Sequence, residues 1–302
     1  MTEELLYLWF GMISRMTHTV KMNVAMKYGG IRGLWNTSEE QLRDELTQAQ
    51  ADGFLEHRDA GKVAAYAEEL RRNDITYIYP GHKLYPGKLY DIPDPPMLLF
   101  AAGDVDVLAD LDPAVVGARK ASVYGREAAD RLSGELAASG VTIVSGMALG
   151  IDGAAHRAAM KAGGKTVAVL GSGINVPYPR ENYDIYHDIR NGGGVVLSEC
   201  GLDIRPDAFR FPYRNRIISG LSSGVLIVEA REKSGSLITA DQALEQGREV
   251  YAVPGRITDS GSRGCNGLIR MGAVCVTQVE DILDEMGINR AESKAFNKNL
   301  LA

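Results

Sequence analysis

The 302-residue sequence predicts an α/β protein, a doubly wound parallel sheet preceded by a small all-α domain. Three observations carry this reading. Residues 1–72 read as helices with no strand pattern. From residue 73 onward, short β-branched apolar runs alternate with longer amphipathic stretches, the pattern of a parallel sheet covered on both faces. Small-residue turns then follow these apolar runs one after another.

The helical part is expected in four pieces: "LLYLWFGMI", "TVKMNVAMKYGGIRGLW", "TSEEQLRDELT" and "AGKVAAYAEELRR". Gly29-Gly30 breaks the second, and Thr37 or Ser38 with Glu40 and Gln41 forms a capping-box signature. A proline-rich linker, "YPGHKLYPGKLYDIPDPP", is expected to run extended. Strands are expected at "MLLFA", "AVVG", "VTIVSG", "TVAVLG", "GVVLSE", "GVLIVEA", "EVYAVPG" and "AVCV". Helices are expected at "SVYGREAADRLSGELAASG", "GAAHRAAMKAGG", "SLITADQALEQG" and "VEDILDEMG". The division is a helical domain over 1–72, a sheet domain over 73–290 and a polar tail over 291–302.

Composition narrows the function. Formal net charge is -6, so any polyanion site is a local patch on a negative background rather than a uniformly basic coat. Cys200, Cys265 and Cys275 have no metal or redox spacing, which favours a reducing cytoplasm and argues against a disulfide framework. The apolar run Leu5–Ile13 is too short to span a bilayer and is read as a buried helix. No catalytic residue, metal site or cofactor is expected.

The turns after the strands are Gly117 to Lys120 (with Arg119), Ser145-Gly146 to Gly150, Gly171 and Gly173, Lys233-Ser234-Gly235-Ser236, and Pro254-Gly255. In a parallel sheet all of them lie at one edge, where helix amino termini and free N–H groups attract phosphate. Neither GxxxxGK[ST] nor a complete GxGxxG occurs, and Ser145 is not in a GxSxG elbow. Asp152 and His156, four apart at a helix start, can share a face, with Asp152 capping N–H groups and His156 bonded to it. The stretch "FRFPYRNRIISG" alternates Phe209, Phe211 and Tyr213 with Arg210, Arg214 and Arg216, Asn215 lying between the last two. From 205 to 216 there are four arginines and one acid, Asp207. Rings that stack unpaired bases beside guanidinium groups that neutralise phosphate suit a single strand. The alternative is that Phe211 and Tyr213 are core and Arg214 is buried against an acid such as Glu199 or Glu229.

"VGARKASVYG", "SGMALGIDGAAHRAAM", "VAVLGSGINVPYPREN", "FPYRNRIISGLSSGVLIVEA", "KSGSLITADQALEQGREVYAVPG" and "GCNGLIRMGA" resemble the bacterial DNA-processing protein A (DprA/Smf) family, from about Ile75 to Ala273. The resemblance implies an extended Rossmann fold behind a sterile-alpha-motif-like (SAM-like) helical domain. It also implies single-stranded DNA binding and protection, loading of RecA recombinase during natural transformation, a homodimer and no catalysis. Carried over by position, Gly117, Ala118 and Arg119 hold phosphate, and the loop Ser145–Asp152, the Phe209–Arg216 segment and Lys233–Ser236 line the same groove. Some members carry a lysine where this chain has Ala208, so Arg205 or Arg210 is the expected substitute. Some members add a C-terminal winged helix, and no counterpart is expected here. The competing classes are a nucleotide enzyme of phosphoribohydrolase type, weakened because "KSGSLITADQ" lacks that loop's acid although Glu229 is near, and a dinucleotide oxidoreductase, weakened by the missing third glycine.

Overall fold

A computed structural model of the chain describes residues 1–13, 16, 18–109 and 113–288, so the expected tail over 291–302 lies outside the described residues. The described part of 1–72 is helical: α1 (Glu3–Met12), α2 (His18–Lys27), α3 (Ile31–Asn36), α4 (Glu39–Glu45), α5 (Gln48–Glu56) and α6 (Ala60–Arg72). Gly29 and Gly30, at φ of 76° and 98°, make the expected break between α2 and α3. Ser38 caps α4 by accepting from the Gln41 amide. The reciprocal capping box falls instead on α5, where Thr47 and Gln50 bond each other's backbone; α5 itself is absent from the sequence-based expectation.

Among the described residues nine strands form one sheet: β1 (Ile75–Ile78), β2 (Leu99–Gly103), β3 (Ala114–Val116), β4 (Ile143–Ser145), β5 (Thr166–Leu170), β6 (Gly194–Ser198), β7 (Gly224–Ile227), β8 (Glu249–Ala252) and β9 (Val274–Cys275). Their order is β1-β2-β6-β5-β4-β3-β7-β8-β9. The seven strands from β3 onward are parallel, as expected. β2 runs antiparallel to β6, and β1 antiparallel to β2, so the sheet carries an antiparallel edge. Only four residues long and next to a proline-rich linker, β1 gives no period that sequence reading can separate from loop.

Between the strands lie α7 (Val123–Ala138), α8 (Ile151–Lys161), α9 (Tyr183–Asp188), α10 (Arg210–Leu221), α11 (Gly235–Glu245), α12 (Arg263–Arg270) and α13 (Glu280–Leu283). Alternate strand residues feed opposite faces of the sheet. Val115 packs with Leu132, Leu136 and Ile151 of α7 and α8, whereas Ala114 and Val116 pack with Ile217, Ile218 and Ala240 of α10 and α11. A third cluster joins Trp9, Phe10 and Phe54 of the helical part to Phe100, Leu170 and Val196 of the sheet. Trp9, Phe10 and Phe54 are fully buried, and such side chains contribute about 1.5–3 kcal/mol each.

The chain steps from β3 outward to β6, then crosses back through α10 to place β7 on the other side of β3. The connections leaving β3 and β7 therefore diverge and open a crevice at their carboxyl ends.

Candidate nucleic-acid interface

That crevice is a cleft of about 850 Å³ lined by the turn after β3, Ala148 and Asp152 near the start of α8, Tyr178, Pro206 to Ala208, one face of α10 from Phe211 to Ile218, and the turn after β7. Each wall follows from a local requirement. A Cβ on Gly117 would come within 2.7 Å of Ile151, so glycine is needed there by close approach. Gly150, at φ 78°, starts α8 directly beneath the Arg119 loop, where a Cβ would sit 2.2 Å from the Ala118 carbonyl. Ala118 N–H donates to the Glu229 carbonyl at 2.8 Å, tying the β3 turn to the β7 turn. On the other wall Ser234 caps α11 by accepting from Ser236 N–H, so the amino end of an 11-residue helix faces the cleft. Gly235 leaves open space above it.

The lining carries five basic side chains (Arg119, Lys120, Arg214, Arg231 and Lys233) against three acids, Asp152, Asp207 and Glu229. Arg119, Lys120, Arg231 and Lys233 are exposed, and none forms an ion pair among the described residues. Two of the acids are engaged. Glu229 is buried and accepts from Ser122 N–H and Ser122 Oγ–H, which ties its carboxylate to the start of α7. Asp152 is buried and accepts from Gly146 N–H and Ala148 N–H at 3.2 and 3.3 Å. Burial pushes its carboxyl up, opposed by the charge of Arg214.

The aromatic part is a stack. The Arg119 guanidinium sits 5.3 Å from the centroid of Phe211, and Tyr178 lies 5.5 Å from the same ring at an interplanar angle of 34°. Tyr178 is 44% exposed, which leaves it free to meet a planar group.

The structure redistributes several of the expected site residues. The segment around Phe211 is the start of α10, and a helix scatters residues that alternate in sequence. Phe211, Arg214, Asn215 and Ile218 share the cleft face, while Phe209 lies outside the lining with Arg210 over its ring at 4.9 Å. Arg216 is a correction: its guanidinium is buried, bidentate to Glu199 at 2.8 and 2.9 Å and bonded to Asp94 at 3.1 Å. Arg214 borders the cleft yet is also buried, donating to the carbonyls of Gly146 and Val169, and desolvation lowers it to about 10. The burial expected for Arg214 beside Glu199 or Glu229 thus falls on Arg216 for Glu199, and on carbonyls and Asp152 for Arg214 itself.

The remaining corrections concern packing. Ser145 is fully buried and donates to the Val115 carbonyl at 2.6 Å. Gly146 is glycine because a Cβ there would meet Arg214 and Asp152 at 2.8 Å. Gly171 seats the Phe211 ring, and Gly173 packs on the backbone of Gly201 to Ile204. His156 does not bond Asp152. It accepts from Met147 N–H at Nε2, leaving the proton on Nδ1 for Thr166 Oγ, and burial holds it neutral with its pKa down to about 3. Arg231 and Tyr178 complete the lining without having been expected there. Arg231 was legible as the first basic residue of the turn that contains Lys233; Tyr178 had no local signal.

Comparison with known proteins agrees with this geometry. The model of the DNA recombination-mediator protein A family matches residues 76–287. The chain is 48% identical over 237 residues to protein Smf of Escherichia coli (strain K12), covering 76% of this chain and 63% of that one, so it spans just under two thirds of that relative. It is 44% identical over 225 residues to DNA processing protein DprA of Bacillus subtilis (strain 168), covering 74% of each. The structure of DprA from Streptococcus pneumoniae superposes with a TM-score of 0.80 at 34% identity, covering 94% of this chain and 99% of that one. That of DNA processing protein A from Helicobacter pylori, described for its single-stranded DNA binding mode, gives 0.64 at 29% identity over 70% of this chain and 95% of that one. With the doubly wound sheet and the switch-point cleft in place, these matches establish that the chain belongs to the DNA recombination-mediator protein A family, the DprA/Smf proteins.

Proposed function

We propose that the cleft binds single-stranded DNA with little regard to sequence, and that the protein, as a homodimer in the cytoplasm, protects the strand and loads RecA on it during natural transformation. The observation that supports this most is the set of exposed cations, with no ion pair among the described residues, around an aromatic stack at the switch point. Duplex DNA hides the faces of its bases, whereas a single strand offers a phosphate to Arg119, Lys120 and Lys233 and a base to Tyr178. The likeness to a relative described for single-stranded DNA binding supports the same ligand. Its partner role rests on family membership.

The test is titration of fluorescent oligothymidylate against wild type and Arg119→Ala. Loss of one phosphate contact is expected to weaken binding about tenfold and to reduce the salt slope by about 0.7. Unchanged binding with unchanged slope removes the cleft from the interface. Stimulated RecA filament formation on that strand and a dimer mass in solution test the mediator and assembly parts. Release of free base from a nucleoside monophosphate would restore the enzyme reading.

A further inference from the structure

We propose that the strand-binding surface continues past the cleft over the carboxyl end of β8, where Arg256 and Arg263 hold backbone phosphates and the Tyr124 ring receives an unstacked base. This rests on the single-strand reading of the cleft.

The two surfaces share one wall. Glu229 faces the cleft on one side. On its other side a Cβ on Gly261 would come within 2.8 Å of its Oε1, so the loop 254–262 packs directly behind it. Gly264 N–H donates to the Ala230 carbonyl at 2.8 Å, and a Cβ on Gly264 would lie 2.8 Å from the Arg231 carbonyl. The start of α12, with Arg263, is therefore laid against the backbone of Arg231, which lines the cleft. Arg231, Arg263 and Arg256 thus stand on backbone segments that pack against one another, with Arg256 at the head of the loop that leads to α12.

Both arginines are exposed, and neither forms an ion pair among the described residues. The acids nearby are Asp259, whose Oδ1 accepts from Gly261 N–H at 3.2 Å, and exposed Glu232. Tyr124 is 51% exposed, yet its hydroxyl donates to the Pro254 carbonyl at 2.7 Å. A ring held by its far end with its face open is a preorganised platform, so little rotamer freedom remains to be lost on stacking. Ile257 at the loop tip is 87% exposed, in reach of bases that leave the cleft unstacked. Cations, a tethered ring and an apolar tip in one stretch are what a continuing single strand recognises.

The experiment compares short (about six nucleotides) and long (about twenty) oligothymidylates on the intact protein. For Arg256→Glu/Arg263→Glu, affinity for the long strand is expected to fall about tenfold and its salt slope by about 1.4, at about 0.7 per phosphate. Short-strand binding is expected to stay within about twofold of wild type, because the cleft is untouched. Tyr124→Leu is expected to lose about fivefold or more on the long strand, and Tyr124→Phe to retain most of it.

If the charge reversal leaves long-strand binding intact while Arg119→Ala weakens both strands, the continuation is wrong and the cleft stands. If neither variant affects either strand, the cleft reading falls and the continuation with it. A changed molecular mass in solution with undiminished long-strand binding would assign this face to protein contact and overturn the proposal. Should the double variant fail to fold, Arg256→Gln and Tyr124→Leu carry the same comparison singly.

Discussion

Arg214 separates two roles that sequence alone assigns to one residue. Replacing it with methionine keeps the stem and removes the guanidinium donors. The Gly146 and Val169 carbonyls then lose their donor, at about 1–3 kcal/mol for each buried acceptor left unsatisfied. Asp152 loses the charge that opposes its desolvation. These terms overlap, and breaking a buried charge arrangement by deleting one partner typically costs about 3–5 kcal/mol in total. Urea unfolding of Arg214→Met at about pH 8 is expected to show a deficit of that size. The sign of its pH dependence follows from Asp152. Its folded pKa is raised, so the cost is full while the carboxyl is charged and is relieved as pH falls through that pKa. The deficit should therefore shrink as pH is lowered from about 8. Unfolding within about 1 kcal/mol of wild type, with loss of oligonucleotide affinity, would refute the argument and return Arg214 to the DNA contacts.

Other outcomes follow from the same site. Gly171→Ala would put a Cβ 2.9 Å from Phe211, costing about 1–3 kcal/mol, and by shifting the ring under Arg119 should lower oligonucleotide affinity; adding Phe211→Leu should recover stability but not affinity. Wild-type affinity in Gly171→Ala would show that Phe211 does not orient Arg119. His156 has its folded pKa depressed to about 3 from 6.5, so the stability it confers is complete above about pH 6.5 and lost as pH falls toward 3. Between about pH 6.5 and pH 4.5 wild type should lose about 2.3 kcal/mol relative to His156→Gln, read as the difference of two urea titrations. Arg216→Met, which removes the guanidinium from buried contacts with Glu199 and Asp94, should lower the unfolding midpoint without altering DNA affinity per folded molecule.

Much of this was legible in the chain. Parallel strands declare themselves by runs such as "TVAVL" and "GVLIV", buried throughout because both sheet faces are covered. The turn after β3 and the cap of α11 are local features, set by residues adjacent in sequence, and the structure brings Arg119 and Ser234 of those turns to the one cleft. Phe209 to Arg216 misled because a period of two is visible in sequence whether or not the backbone is extended; Pro212 sits in the first helical turn, where it is tolerated. Gly171 and Gly173 misled for another reason. A glycine demanded by a neighbour's side chain or backbone looks the same as one demanded by a phosphate, and the neighbours here, Phe211 and Gly201 to Ile204, lie about 30–40 residues away. Tyr178 and Glu229 act through partners far off in the chain, which no local pattern encodes.

The apolar cluster that joins Trp9, Phe10 and Phe54 to Phe100, Leu170 and Val196 bears on how this protein can be divided. The family match begins at residue 76, just after α6, and a cut there would leave those three sheet residues facing water. A fragment trimmed to the matched segment would inherit a sticky, unlidded surface, so its self-association would report the excision and not the native assembly.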